Sequence, residues 1–169
     1  MGPLELRPYD TSGWYRRGHP RRMRATYKRT QGTEQFLAFY DVHADYLAGQ
    51  VRKRKAHQDV LAVFARLRAC YPAEQRIYLV MDNLNTHRHP VVRAFYDANN
   101  IAPVWTPTYA SWLNAIEAHF GGVRKFAIKG ADEQSHQDRR RRIQRYLTWR
   151  NREHSSTLSP LARFRYIKL

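Results

Sequence analysis

The segment from Ile77 to Asn83 constrains the fold of this chain more than any other. Five apolar residues, Ile77–Met81, are followed at once by Asp82 and Asn83. An uninterrupted apolar run of this length is typical of a strand buried on both faces, in a sheet that carries helices on both sides. Ligands bind at the carboxyl ends of such strands, so Asp82 lies where a functional carboxylate is expected. An Asp-Asn pair can also serve only as a turn or a helix cap.

The segments on either side of this strand predict further strands and helices. Two apolar segments separated by a short break at residues 43–45 predict a β-hairpin. Apolar residues at helical spacing predict two helices, of which the first ends before Pro72 and the second begins at Pro90. The predicted elements are strands at residues 36–42 and 46–51, a helix at 57–71, a strand at 77–81, a helix at 91–98 and a strand at 101–105. This order predicts an α/β fold with a mixed sheet flanked by helices.

A second carboxylate lies on the helix that we predict after these strands. Ser111 has the character of an N-cap for a helix over residues 112–128. The apolar stripe of this helix consists of Trp112, Ile116, Phe120, Val123 and Ala127. At about 100° per residue, Glu117 falls on the border between this stripe and the solvent, where a ligand carboxylate is expected. A further helix is predicted after the cap residue Ser135, with Arg139–Arg142 facing outward.

Asp82 and Glu117 each follow one of two consecutive strands. If those strands are neighbours in space, both carboxylates meet at one edge of the sheet. Two acidic groups at one edge repel each other unless a cation lies between them. Oxygen ligands of this kind suit Mg²⁺ or Mn²⁺ and do not suit zinc. A divalent metal site is therefore one reading of this edge.

The charge of the chain indicates its class of partner. The sequence carries 30 Lys and Arg residues against 14 Asp and Glu residues, a formal net charge of +16. Solubility does not require so large a charge, which predicts a polyanion as the partner. We expect no membrane partner, because no apolar run approaches the length of a membrane span. The single Cys70 excludes an internal disulfide, and no signal peptide is recognisable, so we expect a cytoplasmic protein.

The composition divides the chain into three parts. We predict a basic N-terminal arm at residues 1–32, a core at 33–152 and a C-terminal tail at 153–169. Aromatic residues lie among the arginines of the arm, a pattern that suits nucleic-acid backbones and unstacked bases. A solvated loop whose aromatic residues dock on the core is the alternative. The expected phosphate contacts are Arg21, Arg22, Arg24, Lys28, Arg29, Arg124 and Lys125.

Two motifs carry a resemblance to a known family. The first is Val80–Asn83 with His87 nearby, and the second is Thr106–Glu117, which ends in Trp-Leu-Asn-Ala-Ile-Glu. The sequence resembles the DDE transposase catalytic core of the mariner-like insertion-sequence superfamily. In that family an Asp-Asn pair ends a strand, and Trp-Leu-Asn-x-Ile-Glu carries the last acid at the same separation as here. The similarity extends from about Gly2 to about Arg152.

The resemblance implies a ribonuclease-H-like fold and Mg-dependent cleavage and transfer of DNA strands at the ends of a bacterial mobile element. It also implies two Mg²⁺ (or Mn²⁺) ions, with Asp82 bridging the metals and Glu117 holding one of them. Two such ions activate the attacking oxygen and stabilise the departing one. Asn83, His87 and Asn114 match motif positions, which implies that they orient the metal ligands or position DNA. For His87, an ordinary residue at the entry to a helix is the alternative.

The sequence departs from the family in two ways. The family's first catalytic Asp precedes the segment corresponding to Gly2–Leu6, so we expect the first acid and the central strand of the sheet to be missing. Two unpaired sheet edges would then favour poor solubility or pairing with another chain, of which a homodimer is one form. Asp10, Asp41 and Asp45 are poor replacements, because they lie in the arm or in a hairpin that is not catalytic in the family. The N-terminal helix-turn-helix region of such transposases is also absent.

We therefore expect a truncated copy of a transposase catalytic domain with little activity alone. Two alternatives belong to other classes. A non-enzymatic basic nucleic-acid-binding module needs the positive charge but neither Asp82 nor Glu117. A ribosome-associated protein or RNA chaperone would share the basic arm but prefer RNA. Affinity for nucleic acid should fall steeply with salt in every case.

Overall fold

The computed structural model of the 169-residue chain describes residues 1–9, 13–20, 22–23, 32–155 and 159–164. The strands are β1 (Leu4–Glu5), β2 (Thr33–Asp41), β3 (Tyr46–Arg52), β4 (Ile77–Met81) and β5 (Ile101–Trp105). The α-helices are α1 (His57–Arg68), α2 (Pro90–Ala98), α3 (Ile116–Val123) and α4 (His136–His154). A π-helical turn, Arg124–Ile128, continues α3, and short 3₁₀ turns occupy Ser111–Leu113 and Pro160–Arg163. The α/β class predicted from the sequence is confirmed.

The strands form two sheets. One is antiparallel, in the order β1-β2-β3, and the other is the parallel pair β4-β5. In the hairpin Phe36 faces Val51 across the ladder, and in the parallel pair Ile77 faces Ile101. Met1 extends the pairing of β1, since Phe36 N donates to Met1 O at 2.8 Å. Among the described residues no strand joins the two sheets: β2 lies between β1 and β3, and β4 pairs with β5 alone.

The β2-β3 hairpin is apolar on both faces and therefore separates two cores. On one face Phe39 and Ala48 pack with α1, α2, β4 and β5, which joins the two sheets through side chains. On the other face Phe36, Leu47 and Val51 pack against α3, the π-helical turn and α4. The hairpin lies between two helical layers, which explains why both of its strands are apolar almost throughout.

The ends of the helices follow local rules of the sequence. Pro90 occupies the first turn of α2, where its missing N–H costs no hydrogen bond, and the His89 side chain accepts from Val91 N at 3.3 Å. The Ser135 hydroxyl accepts from Asp138 N at 3.1 Å and caps α4, as predicted. No helix in the described part of the chain combines the length and the apolar character that a membrane span requires.

The helix that we predicted over residues 112–128 is interrupted. A 3₁₀ turn at Ser111–Leu113 precedes α3, and Trp112 is 73% exposed, so it does not belong to the buried stripe. The interruption has a local cause at Asn114, whose side-chain oxygen accepts from Ile116 N at 3.4 Å and whose carbonyl accepts from Glu117 N at 3.0 Å. Asn114 thus starts a new helix, and the residues before it turn outward.

The prediction that Arg139–Arg142 all face outward is wrong at Arg139. Its side chain is 1% exposed, and its Nε donates to Glu133 Oε2 at 2.8 Å. The guanidinium also lies over the ring of Tyr9, 5.0 Å from the centroid. A buried arginine is stable only with a charged partner, and the chain supplies Glu133 from the loop before α4. Sequence periodicity could not identify this partner because it lies outside the helix.

Candidate catalytic site

Hydrogen bonds join the carboxyl ends of β4 and β5 and so fix the position of Asp82. Thr106 N donates to Met81 O at 2.9 Å, and the Asn83 side-chain amide donates to Thr106 O at 2.7 Å. The Arg88 guanidinium in turn donates to the Asn83 side-chain oxygen. Asp82 therefore leaves β4 from a rigid edge, with its carboxylate at the carboxyl end of a parallel pair. Rigid placement of this kind is what a ligand-binding carboxylate requires.

The surroundings of Asp82 keep its carboxylate charged. Its Oδ1 lies 3.2 Å from His87 Nδ1, and 51% of its side chain is exposed. The hydrogen bond from His87 holds the pKa of Asp82 below its ordinary value, aided by the charge of His87, the N–H of Leu84 and the charge of Lys55, and opposed by partial burial. The group is thus ionised and open to solvent at neutral pH, as a cation ligand must be.

Glu117 lies in the first turn of α3 and is exposed. Its charge and that of Asp82 both act on the amino group of Met1. Burial lowers the pKa of this amino group to about 6; Lys55 and Arg124 also lower it, whereas Glu117 and Asp82 act in the opposite direction. Both carboxylates thus contribute to the electrostatic surroundings of Met1.

Asp82 and Glu117 provide only part of the ligands that a metal site needs. Asp82 and Glu117 offer the oxygen ligands that Mg²⁺ and Mn²⁺ prefer. The described residues contain no group of three or more His, Cys, Asp or Glu side chains arranged to hold a metal ion. Asp41 and Asp45, the conceivable replacements for a third acid, are engaged elsewhere. Asp41 accepts from the Ser159 hydroxyl at 2.6 Å, and Asp45 pairs with Arg150.

Three further residues of the two motifs surround the carboxylates. Asn83 holds the strand ends together, and His87 contacts Asp82 directly. Asn114 starts α3 and so sets where Glu117 begins its helical turn. The centroid of the His87 ring also lies 6.0 Å from that of Phe64 in the core, and this packing restricts the orientation of the imidazole.

The predicted phosphate contacts are only partly described. Arg124 and Lys125 are exposed on the π-helical turn that continues α3, and Arg22 is exposed in the N-terminal segment. The other four predicted contacts lie outside the described residues: Arg21, Arg24, Lys28 and Arg29. Of the three described members, Arg124 acts electrostatically on Met1.

Sequence reasoning missed two cations at this site. Lys55 acts electrostatically on both Asp82 and Met1. It ends the basic run Arg52–Lys55, which closes β3 and continues beyond it. Arg88 contacts Asn83 and lies over the ring of Trp105 at 4.8 Å. Its role depends on the meeting of two loops, which no local pattern reveals.

We expect His87→Ala to raise the pKa of the Asp82 carboxyl toward its ordinary value of 3.8, because the variant loses the main group that stabilises the carboxylate. A depressed pKa contributes stability that is present above the ordinary value and lost as the pH falls through the folded value. Carbon-13 NMR of the side-chain carboxyl in an acid titration measures this shift. His87→Gln keeps a hydrogen-bond donor and should shift the pKa less. An unchanged pKa in His87→Ala would contradict the assigned cause.

Comparisons with known proteins identify the fold. The Mos1 transposase paired-end complex with left transposon end matches with a TM-score of 0.61 at 14% identity, over 86% of this chain and 45% of that chain. The simian T-cell lymphotropic virus intasome in complex with PP2A regulatory subunit B56 gamma matches with a TM-score of 0.59 at 11% identity, over 94% of this chain and 52% of that chain. The HTLV-2 integrase catalytic core domain in complex with magnesium matches with a TM-score of 0.53 at 11% identity, over 72% of this chain and 77% of that chain.

These structures show the fold alone at such low identities, and they confirm the ribonuclease-H-like class. The chain spans about half the length of the Mos1 and simian virus chains that it matches. No curated protein matches it. A sequence profile described as DDE superfamily endonuclease matches residues 3–143, which is most of the chain. The chain therefore belongs to the DDE superfamily endonuclease family.

Proposed function

We propose that this chain is the catalytic domain of a transposase that cleaves and transfers DNA strands at the ends of a mobile element. The observation that carries the proposal is the position of Asp82 at the carboxyl end of β4, where hydrogen bonds from Thr106 N to Met81 O and from Asn83 to Thr106 O hold the strand end and His87 lies 3.2 Å from the carboxylate. Family membership and the fold of the Mos1 complexes support the reaction class. The net charge of +16 supports DNA as the partner.

Asp82 and Glu117 would hold Mg²⁺ or Mn²⁺ in this proposal. When bound, such ions activate the attacking oxygen and neutralise the charge that develops on the phosphate and the leaving oxygen. His87 keeps Asp82 deprotonated and fixes its orientation, while Asn83 holds the edge from which Asp82 projects. Lys55 and Arg124 attract the phosphate backbone to the two acids. A structure of the HTLV-2 integrase core contains magnesium, and one of Mos1 contains Mn, which supports this choice of ions.

We further propose that two ions occupy the complete site, and that two carboxylates alone give little cleavage. Two metals need more negative ligands than Asp82 and Glu117 provide, and the described residues supply no third acid at the site. The proposal includes the division into an arm at 1–32, a core at 33–152 and a tail at 153–169. It also includes action on DNA in the bacterial cytoplasm and, through the edge of β4 that has no strand partner among the described residues, formation of a homodimer.

Metal binding tests the site. We expect calorimetric titration with Mn²⁺ to detect binding that Asp82→Asn and Glu117→Gln each weaken at least about 10-fold, because each variant removes a charged ligand. Asp97→Asn, which changes an exposed carboxylate on α2, is the matched control and should leave the affinity unchanged. Equal affinity in all four proteins would show that the two acids do not form a metal site.

A nicking assay tests the level of activity separately. We expect the chain to convert supercoiled DNA to the nicked form slowly, if at all, in Mg²⁺ or Mn²⁺. Fast nicking that Asp82→Ala abolishes would show that two carboxylates suffice, and it would overturn the proposal of low activity while supporting the site.

A non-enzymatic nucleic-acid-binding module is the second candidate, favoured by the partial donor set beside a strongly basic surface. The two candidates differ in how they use the acids. For the binding module, the double variant Asp82→Ala/Glu117→Ala should bind DNA as the parent does, with no dependence on Mg²⁺. Competition between RNA and DNA separates an RNA-binding role from both.

A further inference from the structure

A groove of about 650 Å³ lies between the π-helical turn after α3 and the outer face of α4. Its apolar wall consists of Phe126, Tyr146 and Trp149, and its basic wall consists of Arg141, Arg142 and Arg145. Neither of the motifs that mark Asp82 and Glu117 contributes a residue to this groove. It therefore requires an explanation of its own.

The three aromatic rings form an open stacking platform. The rings of Phe126 and Tyr146 lie 5.9 Å apart with an interplanar angle of only 12°, and Trp149 lies 6.1 and 6.0 Å from them. Phe126 is 54% and Trp149 is 42% exposed. The planes of these two exposed rings are inclined by 52°, and Tyr146 between α3 and α4 is half-buried. A cluster of exposed aromatic rings of this kind indicates a site for flat ligands.

The backbone of α3 is shaped to accept this platform. A Cβ added at Gly122 would lie 2.4 Å from the Tyr146 hydroxyl oxygen, closer than any unstrained contact. Gly122 costs helix stability of about 1 kcal/mol relative to Ala, and here it makes room for the ring. The π-helical turn that follows places Phe126 on the same side, with Lys125 over its ring at 5.3 Å.

The groove carries an excess of positive charge. Glu133 is bound by the buried Arg139, whereas Asp138 accepts from the Ser135 hydroxyl at 2.7 Å and makes an exposed contact of 3.5 Å with Arg141. Arg142 lies 3.7 Å from Glu133, at the limit of an ion pair. Arg145 is exposed and has no hydrogen bond or ion pair to any residue that the structure describes. Guanidinium groups beside open rings are suited to phosphates that flank stacked bases.

We propose that this groove binds unpaired bases of single-stranded DNA, with Phe126, Tyr146 and Trp149 stacking on the bases and Arg145 contacting the phosphate backbone. Duplex DNA hides the faces of its bases, so the rings select an unpaired strand. Phe126 follows Glu117 by nine residues along one helical segment, which is roughly 14 Å at 1.5 Å per residue. Arg124 and Lys125 lie between them along this segment.

The binding itself does not depend on the proposed catalytic function, because stacking needs neither acid nor metal. We expect fluorescence anisotropy with a short labelled oligothymidylate, without divalent metal, to show that Phe126→Leu/Trp149→Leu lowers affinity about 5-fold to 100-fold. Affinity for a labelled duplex should change less than about 2-fold, since its bases remain stacked. Tyr78→Leu is the matched control, because Tyr78 is 70% exposed beside Arg76 but lies outside the groove.

Two further variants test the parts of the groove separately. Gly122→Ala should also lower the affinity for oligothymidylate, because its Cβ displaces Tyr146 while alanine favours the helix. Arg145→Gln should reduce the salt slope of single-strand binding by about 0.7, the value for one phosphate contact, whereas Arg93→Gln on α2 should not.

Three outcomes would overturn the proposal. The first is an equal loss of affinity for single strands and for duplex, and the second is a loss of affinity in Tyr78→Leu as large as in the groove variant. The third is unchanged DNA binding together with lost self-association, which would make the groove a protein interface. Asp82→Asn should leave oligothymidylate binding intact, so failure of the catalytic proposal is distinguishable from failure of this one.

Discussion

Glu133→Ala is expected to lower the free energy of unfolding by about 3–5 kcal/mol, because it leaves the buried guanidinium of Arg139 without its partner. Glu133 Oε2 lies 2.8 Å from Nε of Arg139 and 2.6 Å from Nη2 of the same side chain, and the arginine is 1% exposed. Water cannot replace the lost carboxylate at such a site. Urea unfolding followed by circular dichroism measures the change.

Two controls identify the cause. Glu153→Ala removes an exposed carboxylate that pairs with Arg152, and it should cost less than about 0.5 kcal/mol. Replacing both members of the buried pair, as Glu133→Leu/Arg139→Met, should recover much of the loss, because no buried charge then remains. A double variant as unstable as Glu133→Ala would show that the cost comes from packing and not from the unpaired charge.

Phe36→Ala is the second large expected effect, with a loss of about 3–5 kcal/mol in the free energy of unfolding. The side chain is fully buried, and its ring packs edge to face with Phe120 at 6.3 Å and 73°. It also fills the space above Gly49, where a Cβ would lie 2.7 Å from the ring. Removal leaves a cavity between β2 and α3 that the surrounding strands cannot close.

Thermal and urea unfolding measure this effect, with Phe36→Leu as the conservative control that should cost less. Phe120 lies on the same helix as Glu117, so loss of the Phe36–Phe120 contact also weakens the packing of the helix that carries this carboxylate. A cost for Phe36→Ala of less than about 1 kcal/mol would contradict the assigned role of the ring as the contact between β2 and α3.

Local patterns predicted most elements of this fold. The hairpin, β4, α2 and β5 follow from apolar runs and from prolines and turn residues within a few positions, and the structure has them close to their predicted bounds. The position of Asp82 at a strand end could be predicted for the same reason, since an apolar run and its length are local properties. The expected burial of β4 on both faces is wrong, because Tyr78 is 70% and Val80 is 47% exposed on one face. The convergence of Asp82 with Glu117 stays a prediction, which rests on a resemblance and on the expectation that consecutive strands are neighbours.

What the sequence could not reveal depends on contacts between distant segments. The burial of Arg139 requires Glu133 and Tyr9, which lie outside its helix. The helix break at Asn114 requires a side chain to compete with the helix for backbone N–H groups, a choice that apolar periodicity does not register. Lys55 reaches Asp82 only because the end of the hairpin meets the end of β4 in the folded chain.

The division of the strands into two sheets has a consequence for any cation held by both acids. Asp82 belongs to the β4-β5 half, whereas Glu117 rides on α3, which packs against the hairpin half. No ladder of backbone hydrogen bonds crosses between these two sheets in the described residues, and apolar side chains of the hairpin pack against β4 and β5. An ion bound by both carboxylates would link the two halves, and its binding free energy would add to the stability of the folded domain.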